Sequence, residues 1–205
     1  MLDNIKWLFF DIGSTLVDES KCYEARYVEA VENTDVTYDE FLSKVIEFSK
    51  QNQNGDHPAV EFFGLSLPKW HKELEKPYPD AIRVLSALSQ KYKIGIIANQ
   101  STGSSERLEK WGLLKYIDIV VASAEEGVSK PNPKIFNIAL SKAECDAQNS
   151  VMIGDRLDND IVPANKIGMK TIWIKQGFAV YQTPKSKHET ADYTVNSLSE
   201  LLRVL

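Results

Sequence analysis

The feature that most restricts this chain is a repeated switch between short apolar runs and stretches with helical periodicity. Trp7 to Phe10, Ile94 to Ala98, Ile117 to Val121, Val151 to Ile153 and Thr171 to Ile174 are almost wholly apolar and end in turn or polar residues. A strand with one wet face alternates apolar and polar side chains, whereas a strand covered on both faces does not. These runs therefore predict strands of a parallel sheet held between helices.

The intervening segments supply those helices. Ile82, Leu85 and Leu88 recur at helical spacing after Pro79, a residue suited to a first turn. Leu108 and Trp111 precede Gly112, and Ile161, Ala164 and Ile167 end at Gly168, both plausible C-terminal caps. Asn132-Pro133 opens a run with Ile135, Phe136, Ala139 and Leu140 on one side. The order strand, helix, strand, helix predicts a three-layer, Rossmann-like α/β fold.

Residues 17–76 break that order. Tyr23, Tyr27, Ala30 and Val31 form one apolar stripe; Phe41, Val45 and Phe48 form another, opened by Thr37 with Glu40 three positions on, a capping box. No strand is expected here, so 17–76 reads as a helical insertion after the first strand, with 1–16 and 77–205 forming the core. Phe62, Phe63 and Trp70 are expected in the interior of the insertion, with a substrate-facing position as the alternative. Gln51 to Asp56 reads as a loop, as does Gln182 to Thr190, ahead of a last helix at Leu198 to Leu202.

Composition narrows the function classes. A net charge of -5 over 205 residues disfavours a nucleic-acid partner, since phosphate backbones attract basic surfaces. Cys22 and Cys145 are far apart and outside any metal-spacing cluster, so both are read as small apolar side chains. No apolar run has the length of a membrane span, and no basic head precedes an apolar signal core. A cytoplasmic enzyme is the expectation.

Charged residues at the strand ends carry the chemistry. Asp11 closes the first apolar run, where open α/β sheets bind ligands. Asp155 follows another run, with Asp158 and Asp160 after it, and magnesium accepts one or two carboxylates from separate strand ends. Asp158 or Asp160 alone would also serve as an acidic helix cap. Lys130, framed by prolines in Ser-Lys-Pro-Asn-Pro, suits a cation that neutralises a carboxylate and a transferred phosphoryl group together.

Asp-x-Gly-Ser-Thr-Leu, Ile-Ile-Ala-Asn, Ser-Lys-Pro-x-Pro and Gly-Asp-x-x-x-x-Asp follow one another from Asp11 onward, in an order that resembles the haloacid dehalogenase-like hydrolases. The resemblance implies a phosphatase acting on a small phosphorylated metabolite. It implies Asp11 as nucleophile, forming an aspartyl-phosphate. It also implies magnesium on Asp11, Asp155 and the Gly13 carbonyl, Asp160 behind them, Lys130 on the phosphoryl charge, and 17–76 as a cap that closes over the site.

Two positions depart from that family's pattern. The residue two after the nucleophile is usually a second aspartate that carries the proton; here it is Gly13. Losing a positioned acid/base costs about 10²–10⁴-fold in rate. The hydroxyl residue expected after the second strand is Ala98, leaving Asn99 to supply donors for phosphate. Slow turnover, or a phosphate-binding or regulatory role, follows as the alternative. Carbon–halogen cleavage also dispenses with the second aspartate, but Gly-Asp-Arg-Leu-Asp-Asn-Asp resembles the metal-binding version. Asp18 and Glu19 are read as polarising the hinge or capping the next helix, rather than as a replacement acid.

Overall fold

The computed structural model describes residues 4–205. Strand β1 (Trp7–Phe10) leads to a short strand β2 (Val17–Asp18), helices α1 (Ser20–Val31), α2 (Tyr38–Ser49) and α3 (Asp56–Phe63), and a short strand β3 (Lys76–Pro77). Next come α4 (Ala81–Leu88), β4 (Lys93–Ala98), α5 (Ser104–Lys110), β5 (Ile119–Ala122), α6 (Ser123–Glu126) and α7 (Pro133–Lys142). The chain closes with β6 (Ser150–Gly154), α8 (Val162–Ile167), β7 (Lys170–Ile174), β8 (Tyr193–Val195) and α9 (Leu201–Val204).

Six strands form one sheet in the order β5-β4-β1-β6-β7-β8, parallel throughout. Side chains alternate across it. Leu8, Phe10, Ile96, Val151 and Ile153 face a layer containing Leu85, Leu88, Leu108 and Leu201. Phe9, Ile97 and Met152 face the opposite layer, with Phe136 and Ala139 of α7 and Ala164 of α8. Fully burying one such side chain contributes about 1.5–3 kcal/mol, so both faces hold the sheet. Gly95 leaves room for the Phe9 ring, whose Cδ1 would stand 2.5 Å from any Cβ there.

Several boundaries move from the sequence reading. Edge strand β8 was not anticipated, because Thr194 points outward and interrupts the apolar run. Ile117 lies outside β5, just after a 3₁₀ turn at Leu114–Tyr116. Helix α4 starts at Ala81, past Pro79, and buries Ala81, Val84, Leu85 and Leu88 while Ile82 is exposed. The last helical segment divides into a 3₁₀ turn at Leu198–Glu200 and α9.

Helices α1 to α3 form a separate cluster around Tyr27, Phe41, Val45 and Ala59. Thr37 and Glu40 complete the capping box of α2. Phe63 joins this cluster, but Phe62 is 60% exposed, with the Lys44 ammonium over its ring. Trp70 instead stands edge-on to Tyr23 and lines a cavity. Strands β2 and β3 pair antiparallel, Val17 opposite Pro77 and Asp18 opposite Lys76, where the chain enters and leaves this helical segment. Among the described residues no helix is long and apolar enough to cross a membrane.

Candidate active site

The sheet order fixes where a ligand can sit. From β1 the chain proceeds outward through β4 and β5, then returns to β6 on the other side of β1. Connections leave β1 and β6 in opposite directions, opening a crevice beyond their carboxyl ends. Asp11 and Asp155 each follow one of these strands directly, and the Asp11 N–H extends the ladder to the Ile153 carbonyl at 2.9 Å.

Lys130 reaches the crevice from the loop between α6 and α7. Its Nζ donates to Asp11 Oδ1 at 2.7 Å and to Asp160 Oδ1 at 2.6 Å. Burial works against the lysine charge, but Asp11 and Asp160 outweigh it and hold its pKa above the usual range. Asn99 fixes the lysine's backbone: the Lys130 N–H donates to Asn99 Oδ1 at 2.7 Å, and Asn99 Nδ2 donates to the Lys130 carbonyl at 2.8 Å. The Asn99 amide therefore shapes the loop and keeps one N–H for other partners.

A single π-helical turn, Leu157–Ile161, folds Asp160 back over the end of β6. Asp160 Oδ2 accepts from the Arg156 N–H at 3.0 Å. Gly154 permits this: an added Cβ would lie inside van der Waals contact with the Asp160 carboxyl. Asp158 takes no part and accepts from the Arg156 side chain instead. One oxygen each from Asp11, Asp155 and Asp160 lies within 4.8 Å of the others. Burial, then Asp160 and Asp11, push the Asp155 carboxyl well above the ordinary range, and burial raises Asp160 to about 6 despite Lys130. Three buried carboxylates against one ammonium make an oxygen-rich, electron-rich set that suits a hard divalent cation.

Gly13 lies beside a carboxylate that the sequence reading set aside. An ideal Cβ on Gly13 would stand 2.6 and 2.7 Å from the two Glu19 oxygens and 2.8 Å from its carboxyl carbon. Glu19 is only 8% exposed and accepts from Ser14 Oγ at 3.2 Å. It stands at the N-cap position of α1 but its side chain makes no cap hydrogen bond, while Asp18 accepts from the Ser20 N–H at 2.9 Å. Burial, then the charges of Asp11 and Glu75, raise the Glu19 pKa to about 8.

These groups surround a cavity of about 320 Å³, completed by Tyr23, Trp70, Lys72, Ser101 and Arg156. Lys72 Nζ donates to Ser101 Oγ at 2.5 Å, joining the helical segment to the loop after β4. Sequence reasoning missed Tyr23, Lys72 and Arg156 as lining residues. The one signal for Glu19 was its acidity at the start of the insertion.

Comparison with known proteins gives the family. Residues 8–174 match the family described as haloacid dehalogenase-like hydrolase. A glyceraldehyde 3-phosphate phosphatase of Pyrococcus furiosus is 33% identical over 98% of this chain and 93% of its own length. One from Methanocaldococcus jannaschii is 31% identical over 98% and 97%. The crystal structure of a phosphatase from Thermococcus onnurineus superposes with a TM-score of 0.66 at 26% identity, covering 98% of this chain and 97% of the other. The chain belongs to the haloacid dehalogenase-like hydrolases.

Proposed function

We propose that this chain, a phosphoric-ester hydrolase of that family, transfers a phosphoryl group from a small phosphorylated metabolite to Asp11 and then to water. The observation that carries this reading is the buried Lys130 ammonium shared between Asp11 and Asp160 at the switch point of the sheet. In the first step a free Asp11 oxygen attacks phosphorus, and the bond to the leaving oxygen breaks with its electron pair departing on that oxygen. In the second step water attacks the same phosphorus and the bond to Asp11 breaks, releasing inorganic phosphate. Lys130 orients Asp11 and offsets charge on the phosphoryl oxygens. Asn99 holds Lys130 in place and turns its remaining amide hydrogen toward the phosphate.

Magnesium is our reading of the cation, with Asp11, Asp155 and the Gly13 carbonyl as ligands; Asp160, already engaged by Lys130 and a backbone N–H, stands behind them. When bound, it supplies Lewis-acid charge to the phosphoryl oxygens. Residues 17–76 act as a cap over a core of 1–16 and 77–205, and they shield the cavity from water. The similarity to glyceraldehyde 3-phosphate phosphatases and the cavity volume favour a substrate of triose-phosphate size.

Phosphate release from a panel of sugar and triose phosphates tests this reading. Release that requires magnesium, stops on chelation and is absent in Asp11→Asn is expected. Undiminished release by Asp11→Asn would remove Asp11 as the nucleophile. A second reading, a protein of this fold with little turnover, is favoured by Gly13 and Ala98 together, which supply neither the carboxyl nor the hydroxyl of the family's pattern. Phosphate binding without release at high enzyme concentration would favour it.

A further inference from the structure

We propose that Glu19 is the proton carrier of this site, with its carboxyl group occupying the space that Gly13 leaves open; the inference rests on the Asp11 phosphatase reading above. A side chain at position 13 would place its own carboxyl carbon about 1.5 Å beyond Cβ. The Glu19 carboxyl carbon already stands 2.8 Å from that Cβ position. The two carboxyl groups cannot fill that space together unless Glu19 swings aside, and as it stands Glu19 delivers the same chemical group to almost the same place. Gly13 is thus a requirement of Glu19 rather than a simple loss.

Three further observations support this. The Glu19 side chain is not spent on capping α1, and its one hydrogen-bond donor among the described residues is a neutral hydroxyl from Ser14. Among the described residues no cation pairs with it, although it is buried. It lines the same cavity as Asp11 and Lys130. A buried carboxyl with no cationic partner has little structural value, since burying it without a counter-charge is unfavourable.

Protons and bonds balance through this residue. As the phosphoryl group passes to Asp11, the neutral Glu19 carboxyl gives its proton to the leaving oxygen and becomes a carboxylate. That carboxylate then takes a proton from the attacking water, which forms the new P–O bond as the bond to Asp11 breaks. Inorganic phosphate leaves and the carboxyl group is restored.

The test compares Glu19→Gln with the wild type on two leaving groups, an alkyl phosphate and 4-nitrophenyl phosphate, with Asp11→Asn in parallel. Glu19→Gln should lose about 10²–10⁴-fold on the alkyl ester. On the aryl ester, whose leaving group needs no proton, it should release a burst of 4-nitrophenol equal to the enzyme and then stall as an acid-trappable phosphoenzyme. Moving the carboxyl, in Gly13→Asp with Glu19→Ala, should recover most of the loss. Glu19→Gln turnover within threefold of wild type, or an equal loss on both esters with no burst and no recovery in the double variant, would overturn the proposal while an inactive Asp11→Asn left the phosphatase reading standing. An active Asp11→Asn would overturn both.

Discussion

Two loops of this site share a construction and differ in one respect. At the end of β1 and again at the end of β6, a glycine is followed six positions later (13 to 19, 154 to 160) by an acid whose carboxyl fills the place of the missing Cβ. Asp160 is fully committed, one oxygen to Lys130 and the other to the Arg156 N–H. Among the described residues Glu19 receives a single hydroxyl hydrogen bond, from Ser14, and no cation. The same backbone device thus anchors a charge in one loop and leaves a carboxyl able to exchange a proton in the other. Partners, not burial, separate the two roles, since both carboxyls are buried.

The strongest way to break the comparison is to remove the cation. Lys130→Met leaves Asp11 and Asp160 buried without a counter-charge, and a loss of about 3–5 kcal/mol in urea unfolding is expected. Loss of less than 1 kcal/mol would mean that Asp160 is not anchored as described.

A second prediction concerns pH in metal-free protein. The Glu19 pKa is raised from 4.5 to about 8 on folding. Below the unfolded value both states hold the proton and Glu19 contributes no difference. As pH rises from 4.5 toward 8, the unfolded chain releases a proton that the folded one keeps, so stability falls by about 1.4 kcal/mol per unit in that window. Above it the loss is constant. Glu19→Gln should flatten this part of the curve, and an unchanged curve would refute it.

The two glycines should then respond unequally to alanine. Asp160 cannot yield, so Gly154→Ala should cost about 1–3 kcal/mol through overpacking. Glu19 meets Gly13 with the free end of a flexible side chain, so Gly13→Ala should swing that end aside, with a smaller stability loss and a clear drop in turnover. Equal stability losses, read by thermal unfolding, would erase the distinction. The smallest effect is expected of Ser14→Ala, which removes one hydrogen bond from Glu19, worth about 0.5–1.5 kcal/mol.

Legibility in the sequence followed the same divide. The sheet core was readable because β1, β4, β6 and β7 carry unbroken apolar runs. Asp11 and Asp155 were readable because each ends such a run. Lys130 was marked by its prolines, although nothing in its spacing told that Asn99 clamps its backbone. Strands β2 and β3 are two residues each, too short for any period to register. Glu19 was hidden for a deeper reason: its burial depends on a space left by Gly13, and an absent side chain gives no pattern. Trp70 was assigned to the interior because aromatic content alone cannot separate a helix core from a cavity wall.

The β2–β3 ribbon has a mechanical consequence. Both chain crossings into the helical segment run through Val17–Asp18 and Lys76–Pro77, so any swing of that segment turns about these four residues. Glu19 is one peptide bond beyond the pivot, while α2 and α3 are far out on the arm. A point beside a fulcrum sweeps a short arc, so the proton carrier keeps station near Asp11 while the outer helices travel. On the proposed reading of 17–76 as a cap, opening the cavity to exchange phosphate and keeping the acid in register would be geared apart, by leverage alone.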